Sequence, residues 1–174
     1  KLTALIEGFF NPGNNLMISD TATVELRNNS SPYNIIDVRK SVLSDSGKGN
    51  FNFTEISDNT PYYIVVKHRN SMETWSSAGV SFVSSVAQYD FTDASSKSYG
   101  NNAAQINSRY AFFSGDADQD NIIDLSDLTI IDNDASNFLS GYLNSDVNGD
   151  TLADLADLAI TDNNAFNVIT IIRP

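Results

Sequence analysis

One pattern of acidic residues occurs twice in the last third of the chain, with an offset of 30 residues. Residues 116–135 and 146–165 are identical at ten of twenty positions. Each copy places an Asp or Asn at positions 1, 3, 5, 9 and 12 of a twelve-residue stretch, and apolar residues follow. Side-chain oxygens at these positions, with a backbone carbonyl at position 7, suit a hard cation the size of Ca²⁺. The repeat therefore predicts two similar loops, each followed by a helix.

These loops predict two calcium ions, each with six ligand residues. The first set is Asp116, Asp118, Asp120, the Ile122 carbonyl, Asp124 and Asp127. The second set is Asp146, Asn148, Asp150, the Leu152 carbonyl, Asp154 and Asp157. Position 12 lies on the helix that follows its loop, so we expect metal binding to order that helix.

Apolar residues at helical spacing follow each loop. They are Leu125, Leu128 and Ile131 after the first loop, and Leu155, Leu158 and Ala165 after the second. This spacing predicts one apolar face on each helix. These faces give the module an apolar surface with which to pack. Asp124 and Asp154 stand at the predicted helix starts, where a carboxylate also favours the positive end of the helix dipole.

The negative charge of the chain is concentrated in the same region. Residues 1–114 contain nine Lys/Arg and ten Asp/Glu, whereas residues 115–174 contain one Arg and twelve Asp. The second segment therefore carries −11 of the total net charge of −12. Such a concentration repels itself unless cations offset it, and it argues against a nucleic-acid partner. The change in composition predicts two domains, 1–114 and 115–174.

Short strands separated by Gly, Pro and Asn turns are predicted throughout residues 1–114. We expect them at 2–10, 21–27, 33–43, 51–54, 62–69, 79–83, 86–91 and 110–113. The clearest alternation places Ala22, Val24 and Leu26 on one face of a strand. Seven or eight short strands at this spacing indicate a β-sandwich. The predicted fold class is thus mainly β with a small α module: an Ig-like or prealbumin-like sandwich and a pair of calcium loop–helix units.

Two segments resemble known families. The stretches DSGKGNFNF from Asp45 and NTPYYIVVKHR from Asn59 resemble prealbumin-like or carboxypeptidase-regulatory-like sandwich repeats of secreted bacterial proteins. This resemblance implies a stalk or binding module with no catalytic residues. Residues 115–174 resemble a dockerin, because two calcium loops are each followed by one helix and position 12 is Asp127 or Asp157. The combination is similar to secreted proteins of the Bacteroidota and Ignavibacteria.

The dockerin resemblance implies an adhesive module that binds a cohesin domain or packs against a neighbouring module. Position 6 of such loops needs positive φ and is normally Gly, but here it is Asn121 or Thr151. Asn tolerates that conformation better than a β-branched Thr does. We therefore expect the second site to be strained or weaker.

Two interpretations of function remain open at this point. The first is a non-catalytic extracellular structural or adhesive protein whose calcium-ordered module docks onto a neighbouring subunit and assembles into a surface fibre. Its partner is another copy of the chain or a cohesin-like domain. The second is a carbohydrate-binding module anchored at the cell surface or through a cohesin-like partner, with Trp75 in contact with the glycan. The apolar tail, Val168–Ile172, either folds back onto its own module or adds to a sheet edge of another molecule.

Other residues bear on enzyme chemistry, location and modification. The chain has one His, His68, no Cys, and scattered Glu residues, so no nucleophile–base pair or paired-carboxylate cleft is indicated. No apolar run long enough for a membrane helix is present. We interpret a start at Lys1 as a processed N-terminus and expect an extracellular or cell-surface protein. The candidate glycosylation sites are Thr21, Asn28, Asn29 and Asn52.

Overall fold

The computed structural model describes residues 1–174, with twelve strands followed by two helices. The strands are β1 (Leu2–Thr3), β2 (Phe10–Asn11), β3 (Leu16–Met17), β4 (Asp20–Asn28), β5 (Ile35–Leu43), β6 (Lys48–Gly49), β7 (Pro61–His68), β8 (Ser71–Trp75), β9 (Val80–Ser81), β10 (Tyr89–Asp90), β11 (Ala104–Ile106) and β12 (Arg109–Ala111). The helices are α1 (Leu125–Ser136) and α2 (Leu155–Phe166), and short 3₁₀ turns span Ser95–Lys97 and Tyr99–Asn101. The chain is therefore mainly β with two helices.

An antiparallel sheet in the order β5–β4–β7–β8, with β9 paired to β7, forms the larger layer. Its register sets Val24 between Arg39 on β5 and Val66 on β7. Ala22, Val24 and Leu26 are all buried on one face of β4, as the alternation predicts. The other face carries Thr21 and Thr23, which are half-buried.

A smaller sheet in the order β10–β1–β6 forms the second layer. Buried side chains from both layers meet in one core of 18 residues, which includes Leu2 from β1 and Leu26 and Ile64 from the larger sheet. This arrangement is a β-sandwich, and the mainly-β fold class is confirmed.

Three differences from the predicted strands bear on the fold. The strand predicted at 2–10 stops at Thr3, because the chain turns at Glu7 and Gly8 and resumes at β2. Phe51 and Phe53 pack against the core without forming a strand. The strand β8 has no counterpart in the prediction, since all five of its residues are buried and it shows no alternation.

The two helices follow the sandwich and lie against it. Buried Ala117, Ile131 and Val147 form a second, small core between the loops and helices. Asn164 on α2 donates to Glu7 Oε2 (2.6 Å) and to the Ser114 carbonyl (2.8 Å), which ties the helix to the sandwich. Any side chain at Gly8 would overlap the carbonyl oxygen of Val147. Residues 115–174 therefore make close contact with the start of the chain.

Candidate metal centre

Loop one, residues 116–127, is folded by its own carboxylates. Asp118 Oδ1 accepts from Asp120 N–H (3.0 Å), and Asp120 Oδ1 accepts from Ile122 N–H (2.8 Å). These turns bring oxygens of Asp116, Asp118 and Asp120 within 4.8 Å of one another. Three converging carboxylates with no cationic side chain among them are a candidate site for a hard cation.

The buried carboxylate of Asp127 joins the two ends of loop one. Its Oδ1 accepts from Ala117 N–H (2.7 Å) and Asp118 N–H (3.1 Å), and its Oδ2 accepts from Asp124 N–H (2.9 Å). Asp124 itself caps α1 by accepting from both the N–H and the hydroxyl of Ser126, each at 2.7 Å. The structure thus places the Asp127 carboxylate beside the start of the loop. The Asp124 carboxylate instead caps the N-terminus of α1.

Loop two, residues 146–157, repeats these contacts. Asn148 Oδ1 accepts from Asp150 N–H (2.8 Å), and Asp150 Oδ1 accepts from Leu152 N–H (2.9 Å). Asp157 accepts from Val147 N–H (2.7 Å) and Asn148 N–H (2.9 Å). The Asn148 amide also donates to Asp150 Oδ2 (3.1 Å). Asp118, at the same position of loop one, has no amide and cannot make this contact. The two loops share a backbone fold and differ in charge at position 3.

Both loops adopt positive φ at positions 4 and 6. The angles are 62° at Gln119 and 74° at Asn121 in loop one, and 80° at Gly149 and 73° at Thr151 in loop two. The expectation of positive φ at position 6 is confirmed. Thr151 is the unfavourable case, because a β-branched residue rarely adopts this region.

Burial and neighbouring negative charge disfavour the ionised form of three carboxylates in the loops. Burial, and then the neighbouring charge of Asp127, raise the pKa of Asp116 to about 7. Burial also raises the pKa of Asp127 and that of Asp157. A bound cation would stabilise the ionised form of each of these carboxylates and lower its pKa.

The donor atoms fit a calcium ion at both loops. Every side-chain donor at the ligand positions is an oxygen, and the carbonyls of Ile122 and Leu152 accept no hydrogen bond from the chain. In loop two, Oδ1 of Asp146 has no hydrogen-bond partner although the residue is only 1% exposed. A buried carboxylate oxygen without a partner is costly unless a cation or water meets it. Oxygen-only donor sets favour calcium or magnesium over softer metals.

Each loop is paired with the segment that follows the other loop's helix. Ile123 N–H donates to the Ile169 carbonyl (2.9 Å), and Ile171 N–H donates to the Asn121 carbonyl (3.0 Å). In loop two, Ala153 N–H donates to the Leu139 carbonyl (3.1 Å). Residues 139 and 169 are 30 apart, which is the offset of the sequence repeat. The two loop–helix units are therefore related by an approximate two-fold axis. The apolar tail folds back onto its own module.

A groove lies between α1 and α2, with a volume of about 470 Å³. Four pairs of repeat-equivalent residues line it, namely Leu125/Leu155, Leu128/Leu158, Thr129/Ala159 and Asp132/Asp162. Leu125 is 74% exposed and Leu155 is 78% exposed. The rest of the chain therefore covers only part of the apolar face of each helix. Ile131 is buried and Leu158 packs against the small core, but no other part of the chain covers Leu125 and Leu155.

The sandwich supplies residues to this region that the sequence did not single out. Arg69, in the turn between β7 and β8, contacts Asp146 of loop two (Nη2 to Oδ2, 3.0 Å). Asn70 donates to the Asp146 carbonyl (2.6 Å), and Tyr142 donates to Asp20 on β4 (2.8 Å). These partners lie 76 to 122 residues apart in sequence, so no local pattern could have identified them.

The interpretation of Trp75 as a glycan contact is wrong. The ring is 2% exposed, its Nε1–H donates to Glu73 Oε1 (2.7 Å), and Tyr33 and Tyr63 pack edge-on against it. Stacking on a sugar needs an open ring face, which this ring lacks. Of the candidate glycosylation sites, Asn29 and Asn52 are exposed, whereas Thr21 and Asn28 are half-buried.

Comparisons with known proteins show a likeness in fold alone. No model of a known protein family matches the chain, and no curated protein matches it. Neither helix is long and apolar enough to cross a membrane. A chain from the crystal structure of a type II Cohesin–X–Dockerin complex of Acetivibrio cellulolyticus, a C-terminal interface mutant, is similar at 16% identity and a TM-score of 0.55. The match covers 94% of this chain and 92% of that one.

A chain from the N-terminal interface mutant of the same complex is similar at 17% identity and a TM-score of 0.49, over 82% of this chain and 79% of that one. The first match extends over almost all of the present chain. The shared fold therefore includes helical as well as sandwich residues. This protein is mainly β with two helices, and its fold is similar to that of a chain found in a cohesin–dockerin complex.

Proposed function

We propose that this chain is a non-catalytic, extracellular adhesive protein whose residues 115–174 form a calcium-ordered, dockerin-like docking module. The observation that carries the proposal is the uncovered groove between α1 and α2. It is lined by equivalent leucines from both repeats and rimmed by Asp132 and Asp162. Large apolar side chains at such exposure, gathered in one groove with a polar rim, are typical of a protein-interaction surface.

Calcium has a structural part in this proposal. The two loops hold the starts of α1 and α2, and the leucines lie in the first turn of each helix. Binding of two divalent ions would offset part of the −11 charge of the segment and fix the helix starts relative to each other. Loss of calcium would therefore disorder the surface that meets the partner. Millimolar calcium outside cells suits sites of moderate affinity.

The partner is a protein, either a second copy of this chain or a cohesin-like domain. The likeness in fold to a chain of a cohesin–dockerin complex supports a protein partner. The paired tail argues against fibre growth through tail exchange, because Ile169 and Ile171 are already bonded to loop one. Assembly between copies would instead use the leucine groove. The division into domains 1–114 and 115–174 stays a prediction.

Two binding measurements test the proposal. Self-association of the full chain is followed by sedimentation velocity, and binding to a purified type II cohesin domain is followed by calorimetry. Each is done with calcium and with EGTA. We expect a complex in at least one of the two measurements, present with calcium and lost with EGTA. The double variant Leu125→Asp/Leu155→Asp should weaken it by a factor of at least about 100, because burying each leucine contributes roughly 1.5–3 kcal/mol.

A matched control is Val83→Asp. Val83 is an exposed apolar residue of the sandwich and lies outside the groove. This variant should bind as the unmodified chain does. The proposal is overturned if neither measurement detects a calcium-dependent complex, or if Val83→Asp and the leucine variant weaken binding equally.

A further inference from the structure

Buried polar atoms without a partner are concentrated where the sandwich meets loop two. Seven such side-chain atoms occur in the protein, and five of them belong to His68, Arg69, Asn70, Ser71 and Asp146. Buried polar atoms of folded proteins nearly always have a hydrogen-bond partner, which can be a protein atom, a water or an ion. The contact between the β7–β8 turn and Asp146 is thus incomplete with protein atoms alone.

Arg69 is held in a fixed position in this contact. Its Nε lies 3.0 Å from Asp20 Oδ2 on β4, and its Nη2 lies 3.0 Å from Asp146 Oδ2. The guanidinium also lies over the rings of Tyr142 (4.4 Å) and Phe9 (5.2 Å). Its side chain is only 9% exposed. A guanidinium with two carboxylates and two rings around it has little freedom to leave.

The two loops differ in this respect. Asp146 is the only carboxylate of either loop in an ion pair, and its repeat-equivalent, Asp116, has no cationic side chain as a partner. Loop one has Asp at all five side-chain ligand positions, whereas loop two has four Asp and one Asn. Loop two thus has one negative charge fewer at its ligand positions, and it also has Arg69, which it shares with Asp20, beside Asp146.

We propose that Arg69 is a built-in cation of loop two, supplied by the sandwich. It neutralises Oδ2 of Asp146 and leaves the buried Oδ1 free for calcium. Loop two therefore keeps its fold without calcium, and loop one folds only when calcium is bound. The repeat in sequence thus becomes two unequal sites: a calcium-dependent loop one, and a loop two anchored permanently to the sandwich. This inference rests on the proposed calcium binding, and Arg69 acts as a positioning residue for Asp146.

Hydrogen exchange of equivalent amides tests the inequality in the unmodified full chain. Val147 and Asn148 N–H donate to Asp157, and Ala117 and Asp118 N–H donate to Asp127. In EGTA we expect the loop-two pair to exchange at least about ten times more slowly than the loop-one pair, because its bonds persist. Added calcium should protect the loop-one pair and reduce the difference.

The variant Arg69→Gln tests the cause. In EGTA its loop-two amides should exchange at least about ten times faster than those of the unmodified chain, and calcium should restore their protection. A merely structural loss would not be restored by calcium. The control Arg27→Gln removes an arginine that pairs with Glu25 within the sandwich, and should leave both loops unchanged.

The outcomes separate the two proposals. If calcium changes neither loop in the unmodified chain, the proposed calcium function fails. If calcium protects both loops and their amides are equally unprotected in EGTA, calcium binding stands and the role of Arg69 is overturned. That role is also overturned if Arg69→Gln leaves loop two protected in EGTA. The comparison within the unmodified chain decides the question even if the variant does not fold.

Discussion

At the scale of single residues, position 6 of each loop combines a required backbone conformation with an unsuitable side chain. Asn121 and Thr151 have φ of 74° and 73°. Asn reaches this region at modest cost, whereas a β-branched residue is strained there by roughly 1–3 kcal/mol. Site two therefore carries strain that site one does not.

Replacing Thr151 with Gly should relieve this strain. Glycine adopts positive φ without a Cβ clash, and its larger conformational freedom in the unfolded chain offsets part of the gain. We expect Thr151→Gly to raise the free energy of unfolding by about 1 kcal/mol with saturating calcium. The measurement is thermal or denaturant unfolding in excess calcium.

Asn121→Gly is the matched control for that change. It should alter the free energy of unfolding by no more than about 0.5 kcal/mol, because Asn already tolerates the conformation. A destabilising effect of Thr151→Gly, or an equal gain at both positions, would contradict the strain assigned to Thr151.

At the scale of secondary-structure elements, the tail is the segment whose destination only the structure reveals. Residues 168–172 are apolar, and by themselves they favour either an edge strand for another molecule or a return to their own module. The structure pairs Thr170 with Ile122 in an antiparallel bridge beside loop one. The tail also packs against the sandwich, since Asn102 donates to the Thr170 carbonyl (3.0 Å). The tail thus connects loop one to the sandwich.

Proline at position 171 should therefore weaken loop one selectively. Ile171→Pro removes the N–H that donates to the Asn121 carbonyl. We expect faster hydrogen exchange at Ile123 and weaker calcium binding at loop one, by a factor of about 5 to 10 for the loss of one net hydrogen bond. Loop two should be unaffected. Calorimetric calcium titration and hydrogen exchange provide the two readings.

Thr170→Pro serves as the control, because Thr170 N–H donates no hydrogen bond in the structure. Its effect on loop one should be clearly smaller. Equal weakening by both prolines would show that general disturbance of the tail, and not the loss of one bond, governs loop one.

At the scale of the whole molecule, a buried histidine lies beside the contact between the sandwich and the loops. His68 has no exposed side-chain surface, and its Nε2 lies 3.0 Å from Asp20 Oδ2. Burial lowers the pKa of His68 more than its bond to Asp20 raises it. Burial alone would raise the pKa of Asp20, but hydrogen bonds from His68, Tyr142, Thr21 and Arg69 outweigh it and lower that pKa. The bond is therefore a neutral imidazole N–H donating to a carboxylate.

This histidine predicts a loss of stability in mild acid. The unfolded chain binds a proton at its ordinary pKa of about 6.5, whereas the folded chain binds it only at lower pH. The free energy of unfolding should fall by up to about 1.4 kcal/mol per pH unit between these two pKa values. His68→Gln keeps a donor for Asp20 and should lack this contribution. The difference between the two unfolding curves, measured from about pH 7.5 to about pH 5 with calcium, isolates it.

A difference that does not change with pH would contradict the prediction, and a difference of the opposite sign would show that His68 is protonated in the folded protein. The carboxylates titrate alike in the unmodified chain and in His68→Gln. Their contribution therefore cancels in the comparison.

Local patterns in the sequence were sufficient for several features. Alternation in β4 places Ala22, Val24 and Leu26 in the core. The repeat predicts two helices, and α1 and α2 each begin directly after an Asp at position 9. Positive φ at position 6 is what the resemblance of the loops to dockerin loops implies. Each of these features depends on residues within about one turn or one strand, so the sequence nearby contains all the information needed.

Features that depend on distant partners were wrong or absent in the predictions. A glycan contact at Trp75 requires a surface position, but aromatic neighbours from other segments bury the ring. Helical spacing places Leu125 and Leu155 on apolar faces, but only the structure shows that no distant segment covers them. Periodicity indicates that a face is apolar but does not reveal what covers it.

The sequence by itself determined two oxygen-rich loops with helices behind them, a sandwich in front, and a charge of −11 in the last 60 residues. Only the tertiary structure decided that loop two, and not loop one, has an arginine of the sandwich beside its first ligand position. Arg69 and Asp146 are 77 residues apart, and the β7–β8 turn brings them within hydrogen-bond distance. The physical reason is that ligand spacing is a property of a short stretch of chain, whereas a counter-ion acts through space and depends on how the whole chain is packed.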